Sequence, residues 1–381
     1  MTEVRRLAVL TTGRQDYGIL RSTILLLRRT PGFEVAVWVG GMHLQRRFGE
    51  PLAALKRDGV PVARELPFLA EPPSPMADTA AALAQVGAAL MEDPPDALVL
   101  VGDRTEALAA GLAATLAKVA IVHLHGGEES EGAIDNACRH ALTKLSHLHL
   151  VSHQVHADRV IQMGEDPASV VVVGAPALDH AYRDDLPGIE ALSEDLGVRL
   201  EPPVVVVTMH PATLGGPAGE EVAAVAGAMA RVPATYVVTA PNADAGGAEI
   251  GDYWRRWAKD RKRVALVDAL GDRRYWAMLR LADAVLGNSS SGIIEAPALG
   301  VPVVNVGDRQ RGRLRYGPVT DVPAAEDAVA TALREALATG RRAPAEDLGG
   351  YPPAPVAPRI VQALRRWEIP RPPRKRFREP G

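Results

Sequence analysis

The chain is punctuated by short, unbroken apolar runs, each closed by Gly, Ser, His, Asp or Asn and followed by a helical stretch. The first half carries "RLAVLTTG", "EVAVWVGG", "DALVLVGD", "VAIVHLHGG", "LHLVS" and "SVVVVG"; the second carries "PPVVVVTMH", "TYVVTAPN", "RVALVDAL", "ADAVLGNSS" and "VPVVNVGD". Runs that are apolar throughout suit strands covered on both faces, as in parallel sheets. The stretches between them, such as "RSTILLLRRT" and "RTEALAAGLAATLAK", have helical periodicity. This alternation predicts a doubly wound α/β fold. At 381 residues, 47% of them hydrophobic, the chain has material for two cores. The composition shift at "YRDDLPGIEALSEDLGVRLEPP" marks the linker. The expected architecture is two Rossmann-like domains facing a cleft: 1–185, 186–360, and 361–381 as the end of a terminal helix with a basic tail.

Charge and cysteine content exclude several classes. A formal charge of −3 argues against electrostatic capture of nucleic acid, which needs a clustered basic face. The basic tail "RPPRKRFREP" reads as a solvated end segment. Cys138 is the only cysteine, so neither an internal disulfide nor a thiolate metal cage can form. The start "MTEVRRLAVL" lacks the apolar core of a secretory leader, and no run reaches membrane-spanning length. The expected location is the cytoplasm. The HxH spacings in "HLHGG" and "SHLHLVSH" are weak evidence for a ligand pair, so no metal is expected. The absence of GxGxxG leaves a nicotinamide cofactor unsupported, and no cofactor is expected.

In doubly wound folds the ligand lies beyond the carboxyl ends of the strands. Residues at those ends form the candidate set: Arg14, His43, Asp103, Arg104, Glu106, His125, Glu128, Asp135, His210, Asn242, Ser289, Ser290, Glu295, Asp308 and Arg309. In "GNSSSGIIEAPALG", Gly287 permits a tight exit from a strand and Ser289 or Ser290 can cap the next helix. Free amides at a helix start bind phosphate, and Glu295 on the same helix suits a ribose diol. Arg14, just after the first strand, can make forked contacts to a phosphate. His210 ends a strand at "TMHPAT". In the first half, Asp103, Glu128 and Asp135 each follow a strand or open a helix. Asp135 could pair with Arg139 one turn on, on a helix whose expected buried stripe is Ile134, Ala137, Cys138, Ala141, Leu142 and Leu145. Three carboxylates converging on one site would split their pKa values into a base and an acid.

The blocks "TTGRQDYGIL", "GGMHL", "VGDRTEALAA", "HLHGGEESEGAIDNACRHALTKLSHLHLVS", "RVIQMGE", "VGAPALD", "HPAT", "PNADAGG" and "GNSSSGIIEAPALGVPVVNVGDRQRGR" resemble, in order, those of the hydrolysing UDP-N-acetylglucosamine 2-epimerases of sialic- and legionaminic-acid synthesis. The resemblance implies a glycosyltransferase-B arrangement of the two domains. It implies elimination of the nucleoside diphosphate to a 2-acetamidoglucal, then hydration to a free N-acetylmannosamine-type sugar. It makes Asp103, Glu128 and Asp135 catalytic. It places Arg14, His210, Ser289, Ser290 and Arg309 at the diphosphate, Glu295 at the ribose and Asn242 near the ligand. A UDP-sugar substrate and a homodimer or homotetramer follow from it. A non-hydrolysing 2-epimerase is disfavoured, because "HLHGGEESEGAID" stands where that group has an "HVEAGLR" type block; a glycosyltransferase of the same fold is the other alternative. Two departures stand out: "LGGYPPAPVAP" replaces a "PYGDG" type stretch, and Asn136 follows Asp135 where an acidic residue is common.

Overall fold

The computed structural model describes residues 4–45, 52–72, 74–130, 134–211, 218–241, 246–268, 270–342 and 351–379. Two compact units are formed: 1–128 with 135–179 and 350–381, and 129–134 with 180–349. The first holds a sheet of seven strands, β1 (Arg5–Thr11), β2 (Phe33–Gly40), β3 (Val62–Leu66), β4 (Ala97–Val101), β5 (Ala120–Leu124), β6 (Leu148–Val151) and β7 (Val170–Val172), in the order 3-2-1-4-5-6-7. The second holds β8 (Val204–Thr208), β9 (Thr235–Thr239), β10 (Val264–Val267), β11 (Ala284–Gly287), β12 (Val303–Val306) and β13 (Val319–Val322), in the order 10-9-8-11-12-13. Every pairing is parallel. The strand order reverses between β1 and β4, and again between β8 and β11, which is where such sheets open a ligand crevice.

The unbroken apolar runs are explained by burial on both faces. In β1, Leu7 and Val9 face a core shared with Tyr17, Leu20 and Ile24, while Ala8 and Leu10 face one shared with Val86, Ala110 and Leu142. In the second unit Val205 and Val207 pack with Val222, Trp254 and Leu333. Two strands lie outside the sequence reading. β3 and β13 are edge strands interrupted by polar pairs, Arg64–Glu65 and Thr320–Asp321, so they lack a continuous apolar signature.

The terminal helix, Ala357–Arg366, belongs to the first unit. Ile360, Val361 and Leu364 enter the core beside Leu7 and Leu27, and Arg5 donates to the carbonyls of Leu364 and Trp367. Asp179 receives the free amides of Val356 at 2.5 Å and Ala357 at 2.9 Å, which anchors the helix start. The units thus divide at 179/180 and 349/350, where the sequence reading carried the second domain on to 360. The tail is exposed but fastened. Arg371 pairs with Asp96, Lys375 with Glu165, and Arg378 with Asp166 at 2.7 Å. Phe377 covers Gly164, where a Cβ would come within 2.4 Å of the ring. Burial alone would raise the Glu165 carboxyl; hydrogen bonds from His149, Lys144 and Lys375 outweigh it and hold its pKa at about 2.

Candidate active site

Beyond β4, Gly102 (φ +77) turns the chain out and delivers Asp103. Beyond β5 the exit runs through His125 (φ +64), Gly126 and Gly127 (φ +76) to Glu128. Gly127 is required there, because a Cβ would sit 2.3 Å from the carbonyl oxygen of His156. Glu128 is 4% exposed. Its Oε1 accepts the Ser152 hydroxyl at 2.8 Å and lies 2.6 Å from His125 Nδ1. Ser152 Oγ is 2.9 Å from Nδ1 of His156, a ring whose pKa burial pushes down to about 4.

Arg139 gathers the carboxylates. It lies on the helix Asp135–Leu145 and is 1% exposed. It donates to the Asp103 carboxylate, to the Glu128 carbonyl at 2.8 Å and to Asn136 Oδ1 at 2.8 Å. Burial opposes its charge, but Asp103, Glu128 and Asp135 together outweigh that and raise its pKa further. All three carboxylates singled out in the sequence therefore act on one guanidinium. Asp103 takes a hydrogen bond from Arg139, and the charge of Asp135 acts on the same guanidinium. The helix face is revised. Its buried residues are Cys138, Arg139, Leu142 and Thr143, whereas Ile134 is 50% exposed and Ala137 and Ala141 face outward. Burying a hydrogen-bonded arginine rotates the stripe, which an apolar count cannot anticipate.

The remaining strand-end candidates of this unit divide. Arg14 opens the helix Arg14–Arg29 directly after Gly13. His43 is buried with Nε2 2.9 Å from Thr11 Oγ1. Arg104 pairs with buried Glu106 at 3.1 Å. Asp16, absent from the candidate set, accepts the Thr12 amide at 2.8 Å and hydroxyl at 2.6 Å beside them. Burial raises its pKa, against the Thr12 hydrogen bonds and the charge of Arg104. The strand histidines are held structurally. His123 bonds the Gly102 carbonyl at 2.8 Å and His149 bonds Glu165 at 3.0 Å.

In the second unit, Asn288 ties three strand ends together. Gly287 (φ +136) lets β11 pass so close to β8 that a Cβ would lie 2.0 Å from the Thr208 carbonyl oxygen. Asn288 then receives the His210 amide on Oδ1 at 2.7 Å and donates Nδ2 to the His210 carbonyl at 2.9 Å. Its own carbonyl accepts Arg309 Nη1 at 3.1 Å and Gln310 Nε2 at 3.0 Å. His210, the serine turn and Arg309 are thereby brought together. The serines do not cap the helix Ser291–Ala298 through their side chains; Ser289 Oγ lies 3.2 Å from Ser291 Oγ, which also meets the Tyr275 hydroxyl. Glu295 stands on the second turn of that helix, and its charge adds to burial in raising the Tyr275 pKa. Burial raises the Glu221 pKa; Asp308 reinforces this and Arg309 opposes it. Asn242 lies outside the described residues. Among the described residues no group of three or more His, Cys, Asp or Glu is placed to hold a metal ion, and no helix is long and apolar enough to cross a membrane.

Two parallel α/β units, each with ionisable residues at the switch point of its sheet, are the glycosyltransferase-B-type units of an enzyme. The sequence profile of the UDP-N-acetylglucosamine 2-epimerase family matches residues 26–365, and the chain belongs to that family. It is 32% identical to a UDP-N,N'-diacetylbacillosamine 2-epimerase (hydrolyzing) of Legionella pneumophila, over 88% of this chain and 89% of that protein. It is 31% identical to polysialic acid biosynthesis protein P7 of Escherichia coli, over 86% of this chain and 84% of that protein. Its fold is also that of the UDP-GlcNAc 2-epimerase of Methanocaldococcus jannaschii, solved in complex with UDP-GlcNAc and UDP: the TM-score is 0.77 at 15% identity, covering 94% of this chain and 99% of that one.

Proposed function

We propose that this protein is a hydrolysing nucleotide-sugar 2-epimerase acting on UDP-N-acetylglucosamine or a related UDP-2-acetamido sugar. It eliminates UDP to a 2-acetamidoglucal and hydrates that to a free N-acetylmannosamine-type sugar. The observation that carries this reading is the convergence of Asp103, Glu128 and Asp135 on Arg139. The hydrogen at carbon 2 is not acidic by itself, so cleavage at carbon 1 must lead and build positive charge on the ring. Carboxylates serve such a reaction both as proton carriers and as partners of the developing cation. Arg14, His210, Ser289, Ser290 and Arg309 bind the diphosphate in this reading, Glu295 the ribose, and Asn242 lies near the ligand. The serines bind the leaving group and are not nucleophiles.

The enzyme acts as a cytoplasmic homo-oligomer in this reading. The apolar side chains of Met76, Leu112 and Leu116, exposed on the helices Pro75–Glu92 and Thr105–Leu116, support self-association. Incubation with UDP-N-acetylglucosamine or its 2,4-diacetamido-6-deoxy relative in deuterium oxide should release UDP and a manno-configured free sugar with deuterium at carbon 2. Nucleotide release that depends on an added acceptor would instead assign a transferase. No release from these donors or their GDP analogues would sink the reading.

A further inference from the structure

His125 occupies the left-handed backbone region at the exit of β5 (φ +64), where glycine is at ease and a side chain is uncommon. The turn already has two glycines, so an imidazole at the strained position calls for another reason. Its Nδ1 stands 2.6 Å from Glu128 Oε1. An ionised carboxylate only accepts, so Nδ1 carries the proton. The same Oε1 takes the Ser152 hydroxyl hydrogen, and Ser152 Oγ in turn accepts from Nδ1 of neutral His156. The network therefore has one polarity, with both rings donating toward Glu128. His125 Nε2 is left with a lone pair; it is closed to solvent and has no hydrogen-bond partner among the described residues. A buried polar atom in that state calls for a specific reason, and a catalytic role is one of them.

We infer that His125 is a catalytic base of the epimerase, its Nε2 taking the proton from carbon 2, and that Glu128 is a positioning residue that fixes the ring's tautomer and steadies the imidazolium. This rests on the 2-epimerase reading and changes the part played by Glu128 within it. The arrangement has the logic of the histidine–carboxylate pair in acyl-transfer enzymes. In the elimination, the C2–H bond breaks, its electron pair forms the C1=C2 bond, and the C1–O pair leaves on the nucleoside diphosphate. The proton moves to Nε2. In the hydration, water oxygen bonds carbon 1 and gives one of its protons to a carboxylate, the C1=C2 pair takes a proton from a carboxyl group on the opposite face of carbon 2, and the imidazolium releases its proton to solvent.

His125→Gly tests this without disturbing the fold, because glycine adopts the same backbone conformation freely. The variant should bind UDP as the parent does, lose about 100-fold or more in kcat, and regain turnover with added imidazole. Glu128→Gln should lose kcat without imidazole rescue. In 15N-histidine spectra of the parent, the resonance missing from His125→Gly should show the Nδ1–H tautomer, and Glu128→Gln should disturb it. Turnover of His125→Gly within about threefold of the parent, well short of a general base's contribution, would overturn the proposal. So would an Nε2–H tautomer in the parent, a readout that requires no turnover. A parent protein that releases nucleotide from no donor would instead count against the epimerase reading.

Discussion

Arg139 decides the electrostatics of the first unit. A guanidinium with 1% exposure is tolerable only because carboxylates and a carbonyl surround it. Removing it takes one hydrogen-bond donor from Asp103 and one from the Glu128 carbonyl. Arg139→Gln should cost on the order of 3 kcal/mol in stability. It should also lower kcat at least tenfold while UDP binding persists, measured by urea denaturation, steady-state kinetics and calorimetry. Equal loss of UDP binding would show that the arginine serves the nucleotide instead. Asp103 and Glu128 were legible in the sequence because each follows an apolar run, and Asp135 because it opens an amphipathic helix. Arg139 was legible only as a neighbour of Asp135, and its contact with Asp103, 36 positions away, depends on β4 and β5 being adjacent in the sheet.

At the scale of elements, the serine turn shows what pattern reading captures and what it omits. The apolar run, the glycine and the short helix after it are all readable, and 11 of the strands announce themselves as continuous apolar runs. β3 and β13 do not, since Arg64–Glu65 and Thr320–Asp321 interrupt them at a sheet edge. The capping expectation fails: Ser290 stands at the N-cap in helical backbone conformation without a side-chain cap, while the Ser289 hydroxyl meets Ser291, which also meets Tyr275. Asn288 looked like part of the turn, yet it is the clasp between β8, β11 and the segment after β12. Asn288→Ala should raise KM for the nucleotide sugar and weaken UDP binding about tenfold or more, with kcat changed less, since about two hydrogen bonds to a displaced His210 are lost. A fall in kcat with unaltered UDP binding would contradict that assignment.

For the whole molecule, buried neutral imidazoles set the acid limit of stability. Burial pushes His123 down to about 3 and His147 and His156 down to about 4. Unfolded, each takes up a proton near pH 6.5, so the unfolded state binds more protons below that pH. Their stabilising effect is complete above about pH 6.5 and declines by up to about 1.4 kcal/mol per pH unit for each ring as the pH falls toward 4. Glu165, held at about 2, adds a further loss below about pH 4.5, its unfolded range. Urea midpoints should therefore drop steadily from pH 7 to pH 4.5; an unchanged midpoint would mean these rings are not buried as described. The return of residues 350–381 to the first unit has a consequence for synthesis. The second unit is nearly continuous along the chain and can fold as it leaves the ribosome. The first, though begun earlier, cannot close its core until Ile360 and Leu364 emerge. A nascent first unit therefore waits with a hydrophobic face open for the whole time the second is being translated, which makes that interval the one in which chaperones matter most.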